Sequence, residues 1–254
     1  MGFCGLAANP RLSRPGARGL SASNLFDALR LADIHQNLAR NIVSLRQSQD
    51  LFDDLSPNPQ DWNVAIRHEL ATQPKPYTSD SPAINRPFEE AIWIEAVAYP
   101  FQPPNWSKSR FSNGSFGIWY GADSIETTVH ETAWHWRNGL LADAGFDREG
   151  VRIERKVVWV RGDAALVDFR PEIKRMPELV HPTRYDATQP IGKRLHREGF
   201  PGLVSQSARC NGQIFGILNP GVLSNPVQAC SLGYRLTGGQ VAVEKEPGLD
   251  WLRV

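Results

Sequence analysis

RFSNGSFGIWYGADSIETTVHE, running from Arg110 to Glu131, changes its pattern twice. Phe116 to Ala122 is a short aromatic and β-branched run, which reads as a buried strand. Asp123 and Glu126 then form a capping-box pattern, so a helix is predicted from about 124 to 137. Gly139 stands where such a helix would stop. Working outward, residues 92–98 (IWIEAVA) favour a strand with Ile92, Ile94 and Ala96 on one face. Residues 151–160 and 164–169 read as a strand pair turned by Arg161-Gly162-Asp163. A helix follows over about 187–198, ended by Gly199. Leu203 to Ser205 and Gln213 to Leu218 read as strands on either side of SQSARCNG, and Gly238-Gly239 marks a late hairpin. Strands and helices are intermixed without βαβ spacing, which predicts an α+β fold rather than a doubly wound sheet.

The first third of the chain has a different texture. Residues 1–20 read as a loose basic terminus with Arg11, Arg14 and Arg18 and no acid. From Ser23, a plausible N-cap, Leu25, Phe26, Leu29, Ala32, Ile34, Leu38, Ile42 and Leu45 form a broad stripe that predicts a long helix. SPNP at 56–59 interrupts it. Asp61 starts a second predicted helix with Trp62, Ile66 and Leu70 on one face. The stretch 73–87, rich in Pro, Ser and Asp, reads as a connector. The expected organisation is a helical extension over 1–85 followed by a mixed domain over 86–254.

Composition narrows the function. A net charge of +1 gives no field that would gather nucleic acid or anionic lipid. Arginine outnumbers lysine 22 to 6, which suits phosphate and carboxylate recognition but also fits a bias of base composition. The three cysteines, Cys4, Cys210 and Cys230, lack CxxC spacing and argue against a disulfide scaffold or a zinc cluster. No apolar run reaches membrane-spanning length and no secretory signal is legible, so a cytoplasmic protein is expected. HETAWH at 130–135 resembles a zinc-protease helix, but its histidines are one residue too far apart to share a face. No metal is therefore expected. P-loop, Rossmann and nucleophile-elbow motifs are absent.

Four residues stand out together. Arg110, Tyr120 and Glu131 are spaced by ten and eleven residues, and Ser207 follows in an apolar-to-polar turn. Singly each has an ordinary reading: a structural arginine, a core tyrosine, a solvent-facing glutamate, a turn serine. A carboxylate beside Val129, Ala133 and Trp134 is costly unless paired.

In order and spacing these residues resemble the RES domain, a family named for its Arg, Glu and Ser. Arg110-Phe111, Gly114, Tyr120 and Glu131 match its first segment. Gly202-Leu203-Val204, Ser207-Ala208-Arg209 and Ile214-Phe215 through Asn219-Pro220 match its second, so the resemblance spans about residues 88–225. The chain departs from the family's Arg-Trp-Asn opening with Arg110-Phe111-Ser112-Asn113. Ser-x-Arg favours Ser207 over the neighbouring Ser205. The resemblance implies an ADP-ribosyltransferase-like mixed sheet, with NAD as substrate rather than as a prosthetic group. It implies a toxin that degrades NAD by phosphorolysis or hydrolysis, with inorganic phosphate as a possible co-substrate, or one that transfers ADP-ribose to a protein. It further implies an antitoxin partner with a helix-turn-helix domain. Glu131, Arg110 and Ser207 are the catalytic candidates, and Tyr120, Arg110 and Ser207 the candidates for substrate binding. The residues suit that chemistry: a carboxylate stabilises a ribosyl cation, and an arginine fork grips a diphosphate. A non-catalytic interaction module, using the stripe of 25–45 as a partner face or dimer contact, is the reading from another class.

Overall fold

The structure is a computed structural model and describes residues 25–26, 29–43, 91–141 and 149–254. Eight strands form one sheet: β1 (Leu31–Val43), β2 (Trp119–Ala122), β3 (Arg152–Asp168), β4 (Gly202–Gln206), β5 (Gln213–Ile217), β6 (Leu223–Thr237), β7 (Gln240–Glu246) and β8 (Leu249–Arg253). Two α-helices accompany them, α1 (Ile125–His135) and α2 (Thr188–Arg197). The order is β1-β2-β5-β4-β3-β6-β7-β8, with β1 also paired to β3. Strands β1, β2, β5, β4 and β3 therefore close into a ring. The expected α+β class is what the chain adopts.

Two strands at the centre of this ring are covered on both faces. Leu203 packs in one core cluster with Phe111, Phe169, Ile191 and Leu195. Its neighbour Val204 packs in another with Leu38, Trp119, Phe215 and Ile217. A strand buried on both sides reads as an unbroken apolar run, which is why 203–205 and 213–218 are legible. A third cluster joins Val129 and Ala133 of α1 to Tyr234 and Val243, fixing the helix against the sheet.

The expected helix over 23–45 is corrected: residues 31–43 form β1, antiparallel to β3 along all thirteen residues. Ile34, Leu38 and Ile42 are spaced by four, close to one helical turn and also two strand periods. Both periods put them on one face, and all three pack in the cluster around Trp119. Long-range pairing with β3 decides between the two. The helix expected from Asp61, the connector at 73–87 and the loose terminus lie outside the described residues.

The turn expected at Arg161-Gly162-Asp163 does not form. Strand β3 runs through it, with Gly162 opposite Gln36 on one side and Leu223 on the other. Gly162 serves a close approach instead: a β-carbon there would sit 3.0 Å from Leu38 Cδ1. Residues 94–98 are a single π-helical turn, not a strand. Adjacent Ala96 and Val97 are both buried while Ile94 is exposed, which no alternating strand allows. The Ala96 carbonyl accepts from the Trp119 indole at 2.6 Å.

Helix α1 begins one residue later than the capping box suggests. Ser124 is the N-cap, its Oγ accepting from the Thr127 amide at 3.1 Å. Asp123 instead accepts from Thr127 Oγ1 at 2.7 Å and from the Gln213 amide at 3.0 Å, tying the helix start to β5. Gly139 is not a stop, because α1 continues as a π-helical segment over Trp136–Leu141. Helix α2 and the β6–β7 hairpin, turned by Gly238-Gly239 with both φ angles positive, stand where the sequence puts them.

Candidate active site

Glu131 and Ser207 are far apart in the chain and meet at the edge of the ring. Glu131 lies on the second turn of α1, beside Val129 and Ala133, which anchor the helix. Ser207 follows β4, its amide donating to the Gly212 carbonyl at 2.8 Å to close a turn. The Ser207 Oγ lies 2.6 Å from Glu131 Oε1. The amides of Arg209 and Cys210 also donate to this Oγ, at 3.0 and 3.3 Å. Two amide donors fill both lone pairs of the hydroxyl, so its proton points to the carboxylate. The 2.6 Å separation is that of a charge-assisted bond. Ser205 is fully buried on β4, and its Oγ has no hydrogen-bond partner.

Arg209 flanks the other carboxylate oxygen. Its guanidinium lies 3.4 Å from the centroid of the Trp134 ring, and its Nη2 donates to the Pro182 carbonyl at 2.5 Å. Its Nε is 3.9 Å from Glu131 Oε2, too long for a hydrogen bond, and is buried without a partner. Burial lowers the Arg209 pKa, against the opposing pull of Glu131, and Arg110 adds its repulsion. Tyr185 lies beside Arg110, whose guanidinium is 5.0 Å from its ring centroid.

Arg110 is 8% exposed and is held by its surroundings rather than by an acid. Its Nη1 donates to the His181 carbonyl at 2.7 Å and more weakly to that of Leu179 at 3.4 Å. Carbonyls orient a guanidinium without neutralising it. Tyr120 has a positional task. Its hydroxyl accepts from the Phe111 amide at 3.0 Å and bonds the Ser109 hydroxyl at 3.0 Å, pinning the backbone on both sides of Arg110.

Burial pushes the Tyr120 pKa up to about 12, partly offset by its hydrogen bonds to Ser109 and Phe111. Burial likewise raises that of Tyr234, against the hydrogen bond from Asn41. Raised values mean that the folded state favours the neutral phenol. The stabilisation is complete below the unfolded value of about 10 and is lost as pH climbs through the folded value. In an alkaline titration, phenolate absorbance from these two residues is expected only above the range of about 10 of an ordinary free tyrosine, or together with unfolding. Ionisation of every tyrosine near pH ~10 with the fold intact would contradict their burial.

His130 points elsewhere. It lines a cleft of about 260 Å³ with Asp123, Glu126, Cys210 and Gly212 at the start of α1, and Glu131 is not in that lining. Among the described residues no three His, Cys, Asp or Glu side chains gather as a metal site. The sequence reads Trp134 as a packing or solvent-edge residue and gives Tyr185 no role. An aromatic one turn from the candidate Glu131 was the available signal for Trp134. Tyr185 left none.

The sequence model of the family described as "RES domain" matches residues 84–237. The chain belongs to the RES-domain family. The matched span holds Arg110, Tyr120, Glu131 and Ser207 and runs from before β2 through β6. In this RES-domain chain β1 precedes the match, and β7 and β8 follow it. Among solved structures, one similar to it is the MbcT–MbcA toxin–antitoxin complex of M. tuberculosis. The two share 12% identity with a TM-score of 0.42, over 82% of this chain and 87% of that one. No curated protein matches the sequence. No described helix is long and apolar enough to cross a membrane.

Proposed function

We propose that this RES-domain protein is a toxin that consumes NAD by breaking the bond between nicotinamide and ribose, and that an antitoxin with a helix-turn-helix domain restrains it. The observation that carries the reading is the Ser207–Glu131 bond at 2.6 Å, beside two arginines that no second carboxylate neutralises among the described residues. A carboxylate held by a hydroxyl is suited to facing positive charge that develops late in a reaction.

The chemistry follows from the substrate. The C1–N bond of the nicotinamide ribose breaks with its electron pair going to the ring nitrogen, so nicotinamide leaves neutral and needs no strong acid. Positive charge grows on the sugar, where Glu131 stabilises it as glycosidase carboxylates do. Arg110 takes a phosphate oxygen of the diphosphate. Ser207 orients Glu131 and, with its hydrogen-bonding capacity full, does not act as a nucleophile. Tyr120 holds the Arg110 segment in place. An oxygen of water, phosphate or a protein side chain then bonds to C1 and loses its proton.

Incubating the purified protein with NAD, with and without inorganic phosphate, tests this. Nicotinamide is the expected product, accompanied by ADP-ribose, by its phosphorylated form when phosphate is present, or by label on a protein. Each companion product identifies its acceptor. NAD that survives intact in both conditions overturns the reading.

A further inference from the structure

Arg209 occupies a setting that its surroundings over-determine. Its side chain is 5% exposed, a rare degree of burial for a cation. Trp134 covers one face of the guanidinium at 3.4 Å, and the Pro182 carbonyl holds Nη2. These contacts fix the plane of the fork. One donor, Nε, has no partner, and the acceptor facing it is Glu131 Oε2 at 3.9 Å. A buried unpaired N–H is costly, and a buried cation without a counter-charge costs more. The carboxylate is thus held from two sides: Ser207 engages Oε1 and Arg209 stands at Oε2.

We infer that Arg209 is a positioning residue that acts through Glu131, keeping its carboxylate turned so that Oε1 stays with Ser207. The inference rests on the NAD-cleaving reading for its consequence, not for its geometry. Other charges near Glu131 do not replace Arg209. His135 follows one turn later on α1, and Arg110 is anchored on the carbonyls of 179 and 181. Ser207 supplies a hydrogen bond but no charge. Trp134 contributes a flat apolar face that strengthens the field of the cation by excluding water.

The test reads the placement of Glu131 directly. The carboxyl-carbon resonance of a glutamate-labelled sample is recorded at one fixed pH, with the Glu131 signal identified as the one missing in Glu131→Gln. In Arg209→Gln that signal is expected to move the way it moves in Ser207→Ala, where the bond to Oε1 is absent, and in Arg209→Lys, which keeps the charge, to stay near its original position. On NAD, Arg209→Gln is expected to lose about ten- to a hundredfold in kcat, with KM changed little, as for a misplaced catalytic group. Arg209→Lys should recover most of that loss. An unmoved signal in a folded Arg209→Gln protein overturns the inference, as does a loss confined to KM. Should Arg209→Gln fail to melt cooperatively, Arg209→Lys decides, because a displaced signal there contradicts a role for the charge. A protein that leaves NAD intact sinks the functional reading alone, since the resonance measurement needs no turnover.

Discussion

Glu131→Gln is expected to reduce NAD consumption by about a hundred- to a thousandfold while leaving the fold intact, the usual cost of removing one group aimed at developing charge. The substitution is nearly isosteric. A glutamine oxygen in place of Oε1 still accepts the Ser207 proton now donated at 2.6 Å, so the turn at 207–212 keeps its support. What changes is charge. A neutral amide cannot balance a ribosyl cation, and its NH₂ end would face Arg209 Nε, donor against donor, across what is now a 3.9 Å gap. The melting temperature should therefore fall by only a few degrees, the scale of about 1 kcal/mol in a chain of this size. Thermal melts and initial rates on one preparation separate the effects. Turnover within about threefold of the unsubstituted protein would mean that this glutamate is an ordinary paired surface acid and that the reaction runs elsewhere.

Pairing of Glu131 with Ser207 was legible because the family resemblance joined two segments that local pattern cannot join. Local pattern did well wherever one rule acted alone. The helix after Ala122, the buried strands around SQSARCNG and the Gly238-Gly239 hairpin each follow from capping, continuous apolarity or positive φ. It failed where two rules gave the same answer. Ile34, Leu38 and Ile42 satisfy a helix and a strand equally, and only their pairing partners Ala164, Val160 and Lys156 on β3 break the tie. Gly162 looked like a turn because glycine also marks turns, yet the residue makes room for Leu38. The clamp around Arg209 was out of reach for a different reason. Trp134 and Pro182 reach it from α1 and from the segment before α2, and contacts across loops leave no spacing in the chain.

Gly192→Ala is expected to be the most damaging single methyl in the described structure. A β-carbon at 192 would stand 1.8 Å from the Phe111 carbonyl oxygen and 2.7 Å from its carbon. Both atoms are backbone, so no rotamer change relieves the clash, and α2 must move away. The face that would move is the one that secures the arginine segment. Thr188 Oγ1 donates to the Arg110 carbonyl, and Gln189 Nε2 donates to that of Ser109 at 3.0 Å. Phe111 is fully buried against Phe169, and its amide is the donor to Tyr120. Alanine is intrinsically better in a helix by about 1 kcal/mol, which acts in the opposite direction. Overpacking of a closed core costs about 1–3 kcal/mol, and a clash with backbone belongs at the upper end, so destabilisation should win. At roughly 2–4 °C per kcal/mol, the melting temperature should drop by several degrees. Activity should fall further than stability explains, because displacing Arg110 by about 1 Å can cost up to a hundredfold. Assays well below the melting temperature, where the variant remains folded, isolate that second effect. A Gly192→Ala protein that melts at or above the unsubstituted temperature, with full turnover, would show that α2 does not press on Phe111, and the link between this helix and the arginine would fall with it.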